Sequence, residues 1–345
     1  VVDVVLVHAP PRHLEALTQT VIPGIAGSSG SHGAPTIAVT TWESSSMPEP
    51  YANALVHHYD GTIVPSTFCQ NVIRDAFIRD GYHDHRSGTD GVLVIPHCFD
   101  ETWWPAPALR ERGEHDKYRC RSIGASGERK NMMGVLKAYI HAFERRDPVE
   151  LMLVIQNPDF DEIRSVIACS GIPLADLPVI HIPAPRELTE RELVDLHQNA
   201  DCFVSATRCE GWGLGLFEAA ILGKLVIAPT YGGHADFLRG PRPSVYGFLD
   251  VDWRHTPCWG VEQRSRTIVE DGMARSTIAM PPGVNAKQHW AEPDLYHLSG
   301  AMKLALLDPR LADFDMVGRR AWLERKFGFR VVGEQFAAAL KGLLQ

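Results

Sequence analysis

The run Cys209-Glu210-Gly211-Trp212-Gly213-Leu214-Gly215-Leu216-Phe217-Glu218 decides how this chain is read. A strand-like stretch, Ala200 to Ala206, leads into it. An apolar helix, Leu216 to Leu222, leads out of it and is closed by Gly223. The order is strand, glycine-rich turn, helix. Gly211, Gly213 and Gly215 let backbone N–H groups come close to a ligand, since no Cβ stands in the way. A helix N-terminus carries unpaired N–H groups and partial positive charge, which suits a phosphate or diphosphate. Glu210 and Glu218 bracket the turn and are placed to accept hydroxyls on either side of that phosphate, a sugar on one side and a ribose on the other. The competing reading is a plain turn in which Glu218 only complements the helix dipole. The strand that follows, Lys224 to Pro229, and the turn Tyr231-Gly232-Gly233-His234 weigh against it.

The segment EGWGLGLFE, followed by an apolar helix, GKLVIAP and a double-glycine turn, resembles the donor site of the retaining glycosyltransferases of family 4 (glycosyl transferases group 1), whose fold is GT-B. The resemblance runs from about Thr36 to the C-terminus and is most specific around 201–236. It implies an α/β protein of two Rossmann-like, doubly wound domains facing each other across a cleft. The expected boundaries are 1–105 for an acceptor-side domain, compact or truncated, 106–325 for the nucleotide-sugar domain, and 326–345 for a helix crossing back to the first. It implies transfer of a hexose-type sugar from a nucleotide diphosphate sugar to an acceptor hydroxyl in glycan, glycolipid or polysaccharide synthesis, with no metal and no cofactor beyond the co-substrate.

Length and composition agree with that outline. A chain of 345 residues suggests two domains. A formal charge of −8 argues against nucleic acid as a partner. The seven cysteines are scattered without a CxxC pair, as expected of reduced thiols in a cytoplasmic protein. No apolar run reaches membrane-spanning length, and no secretory signal is visible, so any membrane contact is expected to be peripheral. The chain opens on Val1 without a methionine, which reads as a trimmed chain or a fragment.

Strand and helix patterns alternate along most of the sequence, the mark of a doubly wound parallel sheet. Val1 to Val7 reads as a buried strand, 13–20 as a short helix, and 24–33 as a glycine- and serine-rich loop. Thr36 to Thr40 is a second strand that delivers Trp42 and Glu43 at its carboxyl end, where ligands of open α/β sheets bind. The resemblance assigns both, with Gly232, Gly233 and His234, to the acceptor and sugar side. Strands are also expected at Gly61 to Val64, Gly91 to Ile95, Tyr118 to Gly124, Val149 to Ile155 and Pro178 to Pro183. Thr102 to Asp116 reads as an interdomain linker. Arg129 and Lys130 precede a helix starting at Met132. The resemblance gives Lys130 the donor diphosphate. The family's usual earlier arginine falls on Gly124 or Ala125 here, and Arg129 stands in for it.

The donor site implied is Arg129, Lys130, Glu210, Gly211, Trp212, Gly213, Leu214, Gly215 and Glu218, with Glu210, Lys130 and Glu43 catalytic. The acceptor is a carbohydrate, a lipid-linked group or a small molecule. Three DxD triplets (159–161, 250–252, 313–315) and the basic run Arg319, Arg320, Arg325, Lys326 read as chance and as a solvated helix face. Two other readings stand beside the enzyme: a catalytically weak GT-B subunit that binds or scaffolds, and another GT-B chemistry such as epimerisation or phosphorolysis.

Overall fold

Short β-branched runs alternating with helices favour parallel strands, because each parallel neighbour is reached through a crossover. The computed structural model describes residues 4–9, 35–82, 89–111, 113, 115–240, 248–257, 269–270, 273–274, 288–308, 311 and 315–343. The chain divides into two compact units. One comprises Val1–Pro96, His255–Trp290 and Gly333–Gln345, and the other His97–Arg254 and Ala291–Val332. The boundary expected at 105 thus falls inside the second unit, and the grouping of His255–Trp290 with the first has no signal in the sequence pattern. The expected helix at 13–20 and the loop at 24–33 lie outside the described residues.

In the first unit, β1 (Val5–His8), β2 (Thr36–Val39), β3 (Gly61–Val64) and β4 (Val92–Val94) form a parallel sheet in that order. Helix α1 (Glu49–His58) joins β2 to β3 and α2 (Thr67–Arg79) joins β3 to β4. Ser66 caps α2, accepting from the Cys69 N–H at 3.2 Å. Leu55, Ile73, Phe77 and Met47 are buried in the core. Gly61 makes room for the far end of the chain, since a Cβ there would lie 2.8 Å from Leu343 Cδ2.

The second unit begins with β5 (Tyr118–Ala125), α3 (Met132–Ala142), β6 (Val149–Gln156), α4 (Phe160–Cys169) and β7 (Val179–His181). It continues with α5 (Glu190–Gln198), β8 (Cys202–Val204), α6 (Leu214–Ile221), β9 (Leu225–Ala228), α7 (Ala235–Leu238) and β10 (Phe248–Asp250). Helices α8 (Leu295–Leu307) and α9 (Met316–Phe327) complete it, and α10 (Phe329–Leu343) ends the described chain. The six strands are parallel in the order β10-β9-β8-β5-β6-β7. From β5 the first half of the sheet runs one way through β6 and β7. From β8 the second half runs the other way. The strand order therefore reverses between β5 and β8, and a crevice opens at their carboxyl ends.

Two apolar layers sandwich this sheet. Leu136, Tyr139 and Leu151 belong to one, with Leu298 and Met302 of α8. Phe203, Phe217, Phe237 and Phe327 belong to the other. The segment expected to be a linker is fastened to the second unit. Arg320 donates to the carbonyls of Trp104 and Pro105, both at 3.2 Å, and Lys224 donates to Ala108 O at 2.9 Å. This corrects the reading of α9. Arg319 and Arg320 are buried, not on a solvated face, and burial pushes the Arg319 guanidinium down to about 9.

Asn131 links the two halves of the sheet. It sits in the left-handed region at φ 50 and caps α3 by accepting from the Gly134 N–H at 3.1 Å. It also donates to Ala206 O, just past β8, at 3.0 Å. Asn131→Ala is expected to cost about 1–3 kcal/mol, from the lost cap and the strained backbone. Asn131→Gly, which relieves the strain, should cost less. Chemical denaturation of the two variants checks the order.

Candidate functional site

The carboxyl ends of β5 and β8 bring the charged residues of the second unit together. After β5 the chain turns through Glu128, Arg129 and Lys130 before Asn131 starts α3. After β8 it runs through Thr207, Arg208, Cys209 and Glu210 to α6. The two turns are laced by backbone, with the Arg208 N–H donating to Arg129 O at 2.8 Å.

Glu210 lies at the centre and is only 5% exposed. Lys130 Nζ donates to both of its oxygens, at 2.8 and 2.7 Å. Arg129 Nη1 donates to Oε2 at 3.2 Å and to Cys209 O at 2.7 Å. Thr207 Oγ1 donates to Oε1 at 2.9 Å. Burial by itself would raise the Glu210 carboxyl. The charges of Arg129 and Lys130, with the Lys130 hydrogen bond, outweigh it and hold the group below the ordinary carboxylate range. Two cations, Lys130 and Arg129, face one carboxylate. Side chains of Lys130 and Arg129 remain 30% and 25% exposed.

Helix α6 starts two residues earlier than the apolar pattern suggests. Gly213 is its N-cap at φ 92, with no side-chain cap, so Leu214, Gly215 and Leu216 occupy its first turn. Leu214 is 53% exposed. A Cβ on Gly215 would lie 3.2 Å from the Phe203 ring, so this glycine seats α6 on β8.

The structure revises several assignments. Trp212 is buried among Phe217, Phe237 and Phe327, with ring centroids 4.9 to 5.4 Å away. It packs the core. His234 is fully buried and donates from Nε2 to Pro229 O at 2.5 Å; burial pushes its imidazole down, toward the neutral form. The Gly233 N–H donates to Glu210 O at 2.7 Å. Gly232, at φ +125, packs so closely that a Cβ would lie 2.6 Å from Glu210 O and 2.8 Å from Glu210 N. The turn 232–234 therefore braces Glu210. Glu218 pairs with His197 of α5 at 3.2 Å.

In the first unit, Trp42 spends its indole N–H internally, on Ser44 Oγ and Ser46 O, both at 2.8 Å, and packs on Tyr51. Glu43 is partly buried, and its carbonyl accepts from Trp290 Nε1 at 2.9 Å.

Thr207 and Arg208, the latter paired with Glu292 at 2.5 and 2.9 Å, carry no functional signal of their own in the sequence. The position of Thr207, three residues before Glu210, is the one hint. Two acidic triplets serve as helix caps: Asp159 accepts from Asp161 and Glu162 N–H groups at 3.0 Å, and Asp315 from Gly318 at 2.7 Å. Asp250 holds Thr230. Among the described residues there is no cluster of three or more metal-ligating side chains, and no helix long and apolar enough to cross a membrane.

No protein-family model matches the chain, and no curated protein sequence does. Solved structures do. Anabaena HepE, in complex with UDP and glucose, is similar over 98% of this chain and 78% of its own, at TM-score 0.63 and 14% identity. Sucrose-phosphate synthase from Thermosynechococcus elongatus is similar over 98% and 73%, at 0.62 and 15%. The lipopolysaccharide outer core galactosyltransferase WaaB, in its apo form, is similar over 99% and 75%, at 0.58 and 11%. The fold is GT-B. At these identities the likeness concerns the fold alone.

Gly232→Ala should disturb Glu210 directly, since positive φ and two backbone contacts forbid a Cβ. A loss of about 1–3 kcal/mol is expected, read by thermal melting, whereas Gly300→Ala, with open space around it, is the mild control. The depressed Glu210 carboxyl also sets a pH signature. Its contribution is present above the ordinary carboxylate range and is lost as pH falls through the lowered folded value. The stability gap between wild type and Glu210→Gln should therefore be widest near neutral pH and close in acid.

Proposed function

We propose that this chain is a glycosyltransferase that moves a sugar from a nucleotide diphosphate sugar to an acceptor hydroxyl with retention at the anomeric carbon. One observation carries the reading. A buried Glu210, held by Lys130 and Arg129, sits at the strand-order reversal beside the uncapped N-terminus of α6. Ligands of open α/β sheets bind at that reversal, and a helix N-terminus with two cations is an anion site.

In the ligand-free cluster Lys130 and Arg129 are neutralised in part by Glu210. An arriving diphosphate competes for them and for the first-turn N–H groups of α6. Negative charge on the diphosphate grows as the sugar leaves, so these donors stabilise the transition state more than the bound donor. Glu210, loosened from its cations, accepts sugar hydroxyls and faces the developing positive charge on the ring. Glu218 serves the ribose. In the first unit, Glu43 serves the acceptor side, with the Trp42 ring shaping it.

The complexes of HepE with UDP-glucose and with UDP and glucose support a uridine donor and a hexose, and the galactosyltransferase WaaB supports a hexose. The acceptor is a carbohydrate, lipid-linked or small molecule. The reaction on this reading uses no metal. The corresponding location is cytoplasmic, with membrane contact at most peripheral.

The test is nucleotide release from a panel of UDP-, GDP-, ADP- and dTDP-sugars, with and without carbohydrate acceptors. Lys130→Ala should lower kcat by about 10²–10³, the range of one lost electrostatic donor, and weaken nucleotide affinity less. Lost affinity with unchanged turnover at saturation would contradict the role given to Lys130.

A further inference from the structure

We infer that His197 is a positioning residue: it fixes one oxygen of Glu218, so that the other meets the vicinal hydroxyls of the donor's ribose. The inference rests on the nucleotide-sugar reading above.

The geometry begins in α6. Glu218 lies four residues after Leu214, so the two share a helix face. Leu214, in the first turn, is half exposed, which shows that this face opens at the N-terminal end. Long side chains on a helix lean toward its N-terminus. The Glu218 carboxylate is thus aimed along the helix toward the end where the diphosphate binds, and its side chain keeps 16% exposure.

A glutamate on such a face has several torsions to lose before it holds a ligand in one orientation. His197 restricts them in advance. It lies in the last turn of α5, is fully buried, and packs its ring on Phe203 with centroids 5.5 Å apart. Its Nε2 lies 3.2 Å from Glu218 Oε2. An ionised carboxylate only accepts, so Nε2 carries the proton. Nδ1 has no hydrogen-bond partner among the described residues. Among the described residues the imidazole's polar contact is Glu218. With Oε2 engaged, Oε1 still offers two lone pairs, the number that two adjacent ribose hydroxyls require.

A helix staple between α5 and α6 would use the same contact, so the test must read ligand specificity and not stability alone. UDP, GDP and ADP are titrated into the wild type by calorimetry. The tightest binder is then compared with its 2′-deoxy counterpart. The expected wild-type preference for the ribonucleotide is about tenfold or more, the scale of a hydrogen bond to a charged group. His197→Phe keeps the ring against Phe203 and removes the donor. It should bring the preference close to one, because the 2′-deoxy form, which keeps only the 3′-hydroxyl, loses less affinity than the ribonucleotide. His197→Gln retains an N–H donor and should restore most of the preference. Thermal melting confirms folding, and His197→Leu replaces the phenylalanine variant if that one does not fold.

An undiminished preference in His197→Phe overturns the inference, as does an equal loss of both affinities, which marks a staple. A wild type that binds ribo- and deoxynucleotides alike also overturns it, while the nucleotide reading stands. If no nucleoside diphosphate binds the wild type, both the nucleotide reading and the inference fail.

Discussion

A carboxylate removed from water must be paired, or it will take up a proton or destabilise the fold. Glu210 is such a group, and much of the second unit follows from accommodating it. Lys130 and Arg129 supply charge from the turn after β5. Thr207 supplies a hydroxyl from the turn after β8. The Gly233 N–H takes up the Glu210 carbonyl, and Gly232 gives up its side chain so that the backbone can approach. Asn131 adopts a left-handed conformation that ties α3 to the same loop. Each feature is a small local cost justified by one buried charge. Together they place two cations and a helix N-terminus at the point where strand order reverses.

That arrangement has two consequences of opposite sign. The ion pair holds the two loops together, so on the proposed reading little ordering remains to oppose donor binding. The same pairing means that an anion must compete with Glu210 for its cations. A diphosphate carries more charge than one carboxylate and also reaches the first-turn N–H groups of α6. It can therefore win the cations and free Glu210 for hydroxyls. A neutral ligand has no such leverage.

Much of this was legible in the sequence, for reasons of local chemistry. Strand–turn–helix order around Glu210 follows from apolar runs broken by glycines, and Ser66 caps its helix as its hydroxyl predicts. What failed was side-chain destination. Trp212 sits in a ligand-like motif, yet its neighbours in space are Phe217, Phe237 and Phe327, and those lie up to 115 positions away in the chain. Arg319 and Arg320 have the spacing of a solvated helix face. They are buried because backbone carbonyls, which leave no residue signature, accept their protons. His197 reads as one more helical histidine until the sheet order brings α5 beside α6. The grouping of His255–Trp290 with the first unit is likewise a property of the tertiary fold.

The central claim is that Lys130, drawn from Glu210, meets the donor diphosphate. Lysine acylation read by mass spectrometry tests it directly, because the Lys130 side chain is 30% exposed and, paired with Glu210, should label slowly in the free protein. Lys137 and Lys303, exposed on α3 and α8, serve as references. A saturating nucleoside diphosphate should protect Lys130 while leaving Lys137 and Lys303 unchanged, and the matching nucleoside, which lacks the phosphates, should protect none of them. Binding of the diphosphate with no change, or with an increase, in Lys130 labelling would contradict the account.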